Sequence, residues 1–560
     1  MRKVSSKHWA NLLSYLYLLV TIFILVGCGG GGGGDSQSQS QSQSSSSLPT
    51  SSTSSATKNV KLSGRITYDY IPHNSNFIGL NYAAVEQRPI RGAVVELIDS
   101  SGKINATTTS TDDGVFSMAV QQNFDVKVRV KAQLLHRSSP SWDFKVTDNT
   151  SNDALYVMDG ALVSSGNTDS VRNLHAGSGW GGSSYTTTRS AAPFAILDNI
   201  YTGIARLTNA GNTTNLRPLD LHWSTKNSVA DGEYEKGEIG TSFYDGSAIY
   251  ILGDADNDID EYDPHVLLHE WGHYIEDELF RSDSIGGDHA DGKFLDIRVA
   301  MSEGFANAFS GMMIDTANYS DASGAAQSSG FTFDIARKSR PNKGYFSEGS
   351  IGSIFYNFYN SSENKIANDF APIFKVLNNI SYYKNDAVTS IYLFYSQLKN
   401  QFPQYLPPLQ TLMHEQTIWG DDEYATNESN SGGLAIQLPI YKIISVNYTP
   451  LTVCGSNQYG ELNKLGNSQF VRLSITQAGF YVLNVSKSID SNALSNPEFI
   501  LYLKDKQINY SYENLNGNIS SRMNLMPGNY VLEIYDRNHR DGERLSDKTT
   551  SCFDVSVMSN

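Results

Sequence analysis

Apolar and polar residues alternate in short runs over residues 58–135, with Gly, Asn and Asp between the runs. A period of two places successive side chains on opposite faces of a strand, and the residues between the runs favour turns. The clearest runs are at residues 60–67, 92–98, 114–118 and 126–130. This pattern predicts an antiparallel β-sandwich. Residues 440–560 return to the same alternation and also predict strands.

Helical periodicity dominates the middle of the chain. Apolar residues recur every three to four positions over residues 295–314, which is the spacing of one helix face. The same spacing continues at residues 351–359, 370–377, 387–398 and 409–419. Shorter runs that predict strands come earlier, at residues 217–223, 239–244 and 247–253. A strand-rich part therefore precedes a helical part.

Two histidines stand four residues apart where these parts meet. His269 and His273 enclose Glu270 in an HExxH pattern, and Asp263 and Pro264 precede it. Asp263 is predicted to cap a helix, whose first position suits Pro264. Residues four apart lie on one helix face, so both imidazoles can bind one metal ion while Glu270 reaches a metal-bound water. The alternative is a solvated helix with two histidines that bind nothing.

The third ligand is expected from another helix. His265 continues the face of the two histidines, but three histidines on one straight helix cannot close around one ion. Glu303 borders the apolar stripe of residues 295–314. A carboxylate beside a buried face is costly unless it is paired or bound to metal. Glu303 is therefore the predicted ligand, and an ordinary glutamate at the rim of the helix is the alternative.

These segments resemble the gluzincin metallopeptidases, the thermolysin-like and fungalysin-like enzymes. The resemblance is carried by the residues 269–273 (HEWGH) and 303–307 (EGFAN), and it extends loosely over residues 190–425. It implies a two-lobed α+β zincin-like catalytic domain in which His269, His273 and Glu303 hold Zn²⁺. Glu270 would be the general base in peptide hydrolysis. The run at 247–253 would be the strand at the cleft edge, which would pair with an extended peptide.

Two positions depart from this family. Asn307 stands where the family carries an aspartate that orients a ligand histidine. Its carbonyl oxygen can still accept a hydrogen bond but adds no negative charge. Phe346 stands where the family supplies a histidine that polarises the scissile carbonyl. Tyr345 could donate its hydroxyl instead, and a tyrosine packed without a catalytic role is the alternative.

The N-terminus has the features of an export signal. Residues 1–27 contain Arg2, Lys3 and Lys7 followed by an apolar run, and Cys28 follows Leu-Val-Gly. This arrangement resembles the bacterial lipobox, which implies cleavage before Cys28, its lipidation, and a place at the outer membrane or cell surface. An uncleaved anchor helix is the alternative. Residues 28–57, rich in Gly, Ser and Gln, are predicted to form a disordered tether.

Charge and cysteine content narrow the possibilities further. The formal net charge is −16, and Lys and Arg form no basic run, so nucleic acid is not an expected partner. Besides Cys28, the chain has only Cys454 and Cys552. In an exported protein this pair predicts a disulfide in the C-terminal segment, and two unpaired buried thiols are the alternative.

The flanking regions resemble known modules. Residues 89–93 and 111–116 resemble carboxypeptidase regulatory-like, transthyretin-like domains, and residues 478–485 and 526–535 resemble pre-peptidase C-terminal β-sandwiches. The predicted organisation is therefore multidomain. Its parts are a signal at 1–27, a tether at 28–57, a β-sandwich at 58–140, a zincin-like domain at 141–437 and a β-sandwich at 438–560.

An acidic loop precedes the HExxH helix. Residues 254–261 alternate carboxylates with other residues, but Ile259 and His265 stand where an EF-hand needs Gly and Glu. A structural Ca²⁺ site and a solvated acidic loop are both open.

The sequence as a whole predicts a zinc endopeptidase anchored at the bacterial cell surface, acting on peptide or protein substrates. The alternative is an inactive zincin-like lipoprotein for adhesion or glycan binding.

Overall fold

A computed structural model describes residues 58–361, 368–489, 491, 495–504, 506–511, 517–541 and 548–559. The signal at 1–27, Cys28 and the tether lie outside the described residues and stay predictions. Within the described ranges, every helix is too short or too polar to span a bilayer.

Twelve strands form the N-terminal region. They are β1 (Asn59–Tyr70), β2 (Glu86–Pro89), β3 (Ala93–Asp99), β4 (Ile104–Thr109), β5 (Val115–Gln121), β6 (Asp125–His136), β7 (Trp142–Asp148), β8 (Ala154–Leu155), β9 (Val157–Asp159), β10 (Val163–Ser164), β11 (Ser170–Val171) and β12 (Leu174–Ala176). Strands β1, β2, β5, β11 and β12 form one sheet, and β3, β4 and β6 belong to a second. Alternate residues of these strands are buried between the sheets, so this region is a β-sandwich.

The second sheet of this sandwich continues into the middle of the chain. Its ten strands follow the order β14-β15-β13-β7-β6-β3-β4, with β8, β9 and β10 paired alongside. One hydrophobic core runs from the sandwich into the central helices. The domain boundary at residues 140 and 141 remains a prediction, and the sheet is continuous across it.

The central part contains eight helices and seven strands in the described residues. They are α1 (Ala192–Ala210), β13 (Leu219–Trp223), β14 (Phe243–Tyr244), β15 (Ile249–Ile251), β16 (Gly253–Asp254), β17 (Asp258–Ile259), α2 (Pro264–Leu279), α3 (Ile297–Ile314), β18 (Asn318–Ser323), β19 (Ser329–Asp334), α4 (Glu348–Asn360), α5 (Ala371–Leu377), α6 (Ile380–Tyr383), α7 (Ile391–Gln401) and α8 (Leu406–Glu415). The helices predicted from periodicity are confirmed, with shifts of a few residues at their ends.

Close packing holds the HExxH helix α2 and its neighbour α3 in place. Trp271 of α2 is fully buried and lies where a Cβ on Gly203 of α1 would come within 2.2 Å of its ring. On α3, a Cβ on Gly304 would meet the carbonyl oxygen of Glu348 at 2.5 Å. Glycine at these two positions therefore allows α1 to approach α2 and α4 to approach α3. Any side chain at either position would push the helices apart.

The helix α2 begins as predicted, but its cap is different. Asp263 occupies the N-cap position without a side-chain bond to the helix amides. Its Oδ2 instead accepts a hydrogen bond from the amide of Ala322 in β18 at 3.0 Å, and its Oδ1 lies 2.7 Å from Nε2 of His73. The predicted cap is therefore wrong, because tertiary partners take both carboxylate oxygens.

The C-terminal region is a β-sandwich with a core of its own. Its elements are β20 (Tyr441–Ile444), β21 (Leu451–Ser456), β22 (Ser468–Ile475), β23 (Gly479–Lys487), β24 (Pro497–Leu503), β25 (Lys506–Ser511), β26 (Asn518–Leu525), β27 (Gly528–Asp536), α9 (Arg537–Asp541) and β28 (Thr550–Ser559). The two sheets have the orders β20-β22-β27-β24-β25 and β21-β28-β23-β26. Cys454 and Cys552 face each other on β21 and β28 and form the predicted disulfide.

Buried charges attach this sandwich to the first turn of α3. Both terminal nitrogens of the Arg298 guanidinium donate to the Glu533 carboxylate, at 2.9 and 2.8 Å, and Nε and Nη2 donate to Asp296. Arg298 and Glu533 are almost completely excluded from solvent. Burying such charges is tolerable only because each has a hydrogen-bonded partner. The C-terminal sandwich is therefore coupled to the helix that carries Glu303.

Candidate metal centre

Three predicted ligands converge between α2 and α3. The Nε2 atoms of His269 and His273 lie 3.1 Å apart. The Oε2 atom of Glu303 lies 3.3 Å from each of them. His269 and Glu303 are buried, and Oε2 of Glu303 has no hydrogen bond that satisfies it. The helical spacing of the histidines and the packing of α3 against α2 thus bring the three donor atoms together.

The spacing of these atoms fits a four-coordinate cation. Ligands held about 2.0–2.1 Å from Zn²⁺ at tetrahedral angles lie about 3.3 Å from one another. The observed separations of 3.1, 3.3 and 3.3 Å match one face of such a tetrahedron. Two imidazole nitrogens and one carboxylate oxygen are also donors that zinc accepts. The residues present therefore fit this metal.

Both ligand histidines are oriented by a second contact. Nδ1 of His269 donates to Oδ1 of Asn307 at 3.0 Å. Nδ1 of His273 donates to Oε2 of Glu276 at 3.2 Å, and that oxygen also accepts from Ser302 Oγ at 2.6 Å. These contacts leave the Nε2 atoms facing the centre. Asn307 thus contacts a histidine as expected, and the charged partner is Glu276.

Electrostatics favour charge separation within the cluster. Burial opposes protonation of His273, but the nearby Glu303 and Glu276 carboxylates raise its pKa well above the ordinary value. Burial likewise opposes ionisation of Glu303, but the charges of His273 and His289 hold its pKa well below the ordinary value. Glu303 is therefore an anion, as a carboxylate ligand must be, and a binding cation would displace the Nε2 proton of His273.

A further histidine borders the three ligands. Nε2 of His289 lies 3.3 Å from Oε2 of Glu303, and Nδ1 lies 2.9 Å from Oε2 of Glu348. His289 is outside the group of three whose donor atoms lie within 4.8 Å of one another. Burial opposes its protonation, but Glu303 and Glu348 outweigh this effect and raise its pKa to about 9. His289 is therefore a cationic neighbour of the cluster rather than one of its three ligands.

The loop that carries His289 is held by the C-terminal sandwich. Asn463 Nδ2 donates to the carbonyl oxygen of Gly286 at 2.7 Å, and Lys464 Nζ donates to the carbonyl oxygen of Asp288. Gly286 has a φ of 62°, a conformation that favours glycine. The position of His289 thus depends on residues far along the chain.

Glu270 contacts the edge strand β14 of the ten-stranded sheet. Its Oε2 accepts a hydrogen bond from the amide of Tyr244 in β14 at 2.9 Å. Strand β15, which corresponds to the run at 247–253, pairs with both β13 and β14. The prediction that this run forms the cleft edge is therefore wrong. The outer strand is β14, because a turn at residues 245–248 folds it back along β15.

Tyr345 and Phe346 are both buried in the core. The ring of Tyr345 lies 5.0 Å from that of Phe346 and 5.7 Å from that of Tyr392. The Tyr345 hydroxyl has no hydrogen-bond partner among the described residues. The described contacts place this tyrosine among aromatic rings, and none of them joins it to His269, His273 or Glu303. Its predicted role as a donor stays untested.

The acidic loop takes part in a second possible metal-binding group. Carboxylate oxygens of Asp258, Asp260 and Asp321 lie within 4.8 Å of one another. Of the other carboxylates in residues 254–261, Asp256 is exposed and Glu261 pairs with Arg189. The sequence therefore pointed to the acidic loop as a possible calcium site but not to the three residues that come together. Asp321 could not be foreseen, since it comes from β18.

Three residues in or beside the two clusters were not predicted from the sequence. Glu276 stands three positions after His273, a spacing that puts both on one helix face and could have been found. His289 lies in a glycine-rich loop with no periodicity. Asp321 lies on a distant strand. Only the tertiary fold brings these last two to their clusters.

Comparisons with known proteins add no family assignment. No family model matches the sequence, and no curated protein matches it. Among solved structures, the pre-peptidase C-terminal domain of collagenase from Bacillus anthracis is 16% identical, covering 21% of this chain and 93% of that one, with a TM-score of 0.15. PliG from Aeromonas hydrophila, a periplasmic lysozyme inhibitor of g-type lysozyme, is 13% identical, covering 21% and 98%, with a TM-score of 0.14. With TM-scores this low, neither similarity indicates a function for this chain.

Proposed function

We propose that this chain is a zinc-dependent endopeptidase that uses Glu270 as its general base. The observation that carries the proposal is the convergence of His269, His273 and Glu303 at separations of 3.1–3.3 Å. These residues would hold the ion. When bound, the ion would supply a Lewis acid that lowers the pKa of a water at its open position and polarises a carbonyl.

The side chains around the ligands support the remaining roles. Glu270 would take a proton from the attacking water and pass it to the leaving amine nitrogen. Its Oε2 is held by the Tyr244 amide at 2.9 Å, so the other oxygen is assigned to proton transfer. His289, whose ring is fixed by Glu348, would donate from Nε2 to the oxyanion that develops on the carbonyl. We thus give His289 the role that the sequence suggested for Tyr345.

The two-lobed zincin-like arrangement belongs to the same proposal. Strands β13 to β17 precede α2, and the helices α3 to α8 follow it. The ligands lie on α2 and α3, where these two parts meet. We extend the proposal to anchoring at the bacterial outer membrane or cell surface through Cys28, with peptides or proteins as substrates.

Replacing Glu270 by Gln tests the mechanism. We expect the E270Q variant of the full chain to keep one zinc per chain but to cleave casein and a peptide library about 10²- to 10⁴-fold more slowly. Glu278→Gln, on the same helix but paired with Arg217, is the matched control and should keep wild-type activity. A chelator should abolish wild-type cleavage, and zinc should restore it.

Two outcomes would contradict the proposal. An E270Q variant as fast as the wild type would exclude Glu270 as the base. A wild type that holds zinc but cleaves nothing in the library would favour the alternative, an inactive lipoprotein for adhesion or glycan binding.

A further inference from the structure

A second cluster of carboxylates joins the segment that leads into the HExxH helix α2 to strand β18. Asp258 comes from β17, Asp260 follows that strand, and Asp321 comes from β18. Their carboxylate oxygens lie within 4.8 Å of one another. Three negative charges at this distance repel strongly where little water can screen them.

The buried oxygens of this cluster lack partners. Asp260 is only 2% exposed, and its Oδ1 has no hydrogen bond in the described structure. Its Oδ2 accepts from Ser242 Oγ. The Oδ1 atom of Asp258 is also buried without a partner. Unpaired buried oxygens of this kind are rare and point to an ion or another missing partner.

No positive side chain neutralises the three carboxylates. Among the described residues, none of them lies within ion-pair distance of a Lys, Arg or His, whereas the neighbouring Asp263 has His73 and Glu261 has Arg189. Burial, followed by the charges of Asp263 and Glu261, raises the pKa of Asp258 to about 7. Burial, with Asp263 and Asp258, raises that of Asp321 to about 9. The cluster therefore needs either protons or a cation.

We propose that Asp258, Asp260 and Asp321 bind a structural Ca²⁺ ion, distinct from the zinc site. Carboxylate oxygens are the ligands that this hard cation takes, and water and backbone carbonyls would complete its about six to eight ligands. A set without nitrogen or sulfur donors does not favour zinc.

This ion would link the connections that position both ligand helices. The hairpin of β16 and β17 leads into α2, which carries His269 and His273, and β18 follows α3, which carries Glu303. Residues Asp258 and Ser323 already pair across β17 and β18. A cation held by both strands would fix the start of α2 relative to the end of α3.

Calcium titration of the zinc-loaded full chain tests this proposal. We expect calorimetry to show one Ca²⁺ bound per chain, and saturating calcium to raise the Tm by about 5 °C. Mg²⁺ at the same concentration should have a smaller effect, because it demands a tighter octahedral shell. Equal effects of both ions would overturn the assignment to calcium.

Two variants separate this cluster from the rest of the acidic loop. Asp321→Asn should weaken calcium binding at least tenfold. Without calcium it should raise the Tm above that of the wild type, because an asparagine at this position would not have to be protonated or ionised among the other carboxylates. Asp256→Asn, in the exposed turn of the same loop, is the matched control and should bind calcium normally.

Zinc content measured in parallel keeps this test independent of the proposed peptidase activity. A wild type that binds no calcium would refute the proposal, as would an Asp321→Asn variant that binds it with unchanged affinity. Loss of binding in Asp256→Asn alone would place the ion in the turn and equally refute it.

Discussion

The two carboxylate-containing clusters near α2 differ in their donors and in how those donors are held. The first combines two imidazoles with Glu303, and each ligand histidine has a second partner, Asn307 or Glu276. The second consists of oxygen donors alone, and two of its oxygens are buried without partners. Mixed nitrogen and oxygen donors suit zinc, and oxygen donors suit calcium. Under our two proposals, the first cluster would serve chemistry and the second would serve structural support.

The clusters also differ in what surrounds their elements. The helix α3, which carries Glu303, is tied through Arg298 to Glu533 of the C-terminal sandwich. The strands around Asp260 and Asp321 have no such connection in the described structure and lie against the core shared with the N-terminal sandwich. We therefore expect changes at the C-terminal interface to disturb the first cluster and spare the second.

Arg298→Met gives the largest expected effect. Removing Arg298 leaves the buried Asp296 without its cation and Glu533 with only Arg540, 3.4 Å away, which should lower the free energy of unfolding by about 3–5 kcal/mol. Guanidinium titration measures this change. The surface pair of Arg129 and Asp159 provides the control, because Arg129→Met should cost less than about 1 kcal/mol.

The same variant sharpens the contrast between the clusters. Arg298→Met should reduce zinc affinity, because α3 is anchored five residues before Glu303, and it should leave calcium affinity unchanged. A loss of less than 1 kcal/mol in stability, or equal losses of both ions, would show that the sandwich does not support the zinc cluster selectively.

Sequence patterns could predict the first cluster largely because its ligands lie on regular helices. A spacing of four fixes His269 and His273 on one face, and the burial of the stripe beside Glu303 singles out that carboxylate. In each case local geometry determines where the side chain points. The contact of Asn307 with His269 was expected from the gluzincin resemblance alone, and the structure contains it.

The second cluster could not be predicted in the same way. Asp258 and Asp321 meet because two short hairpins pair at a single position, Asp258 with Ser323. Nothing in the local pattern of either hairpin specifies that pairing. Asp263 was misassigned for the same reason, since the Ala322 amide of β18 outcompetes the helix amides for its carboxylate.

A smaller effect than that of Arg298→Met is expected at Glu276, the charged partner of His273. Glu276→Gln should weaken zinc binding about 10- to 100-fold, because the neutral amide no longer raises the basicity of the imidazole. Competition with a chromogenic chelator measures the affinity. Asp277→Asn, one residue further on and mostly exposed, is the control. Unchanged zinc affinity in Glu276→Gln would mean that this contact does not tune the ligand.

The smallest effect is expected from Asn307→Asp, which adds a charge beside His269. The carboxylate would accept from Nδ1 in place of the amide oxygen, now 3.0 Å away, and strengthen the imidazole as a ligand, so zinc should bind up to about tenfold more tightly. Without zinc, the new charge stands four residues from Glu303 on the same helix, a like-charge pair that should cost about 0.2–0.5 kcal/mol of stability. Chelator competition and thermal unfolding with and without zinc would separate these opposite effects. Calcium affinity should not change. Unchanged zinc affinity would mean that the neutral amide already orients His269 as well as a carboxylate can, and weaker zinc binding would contradict the prediction.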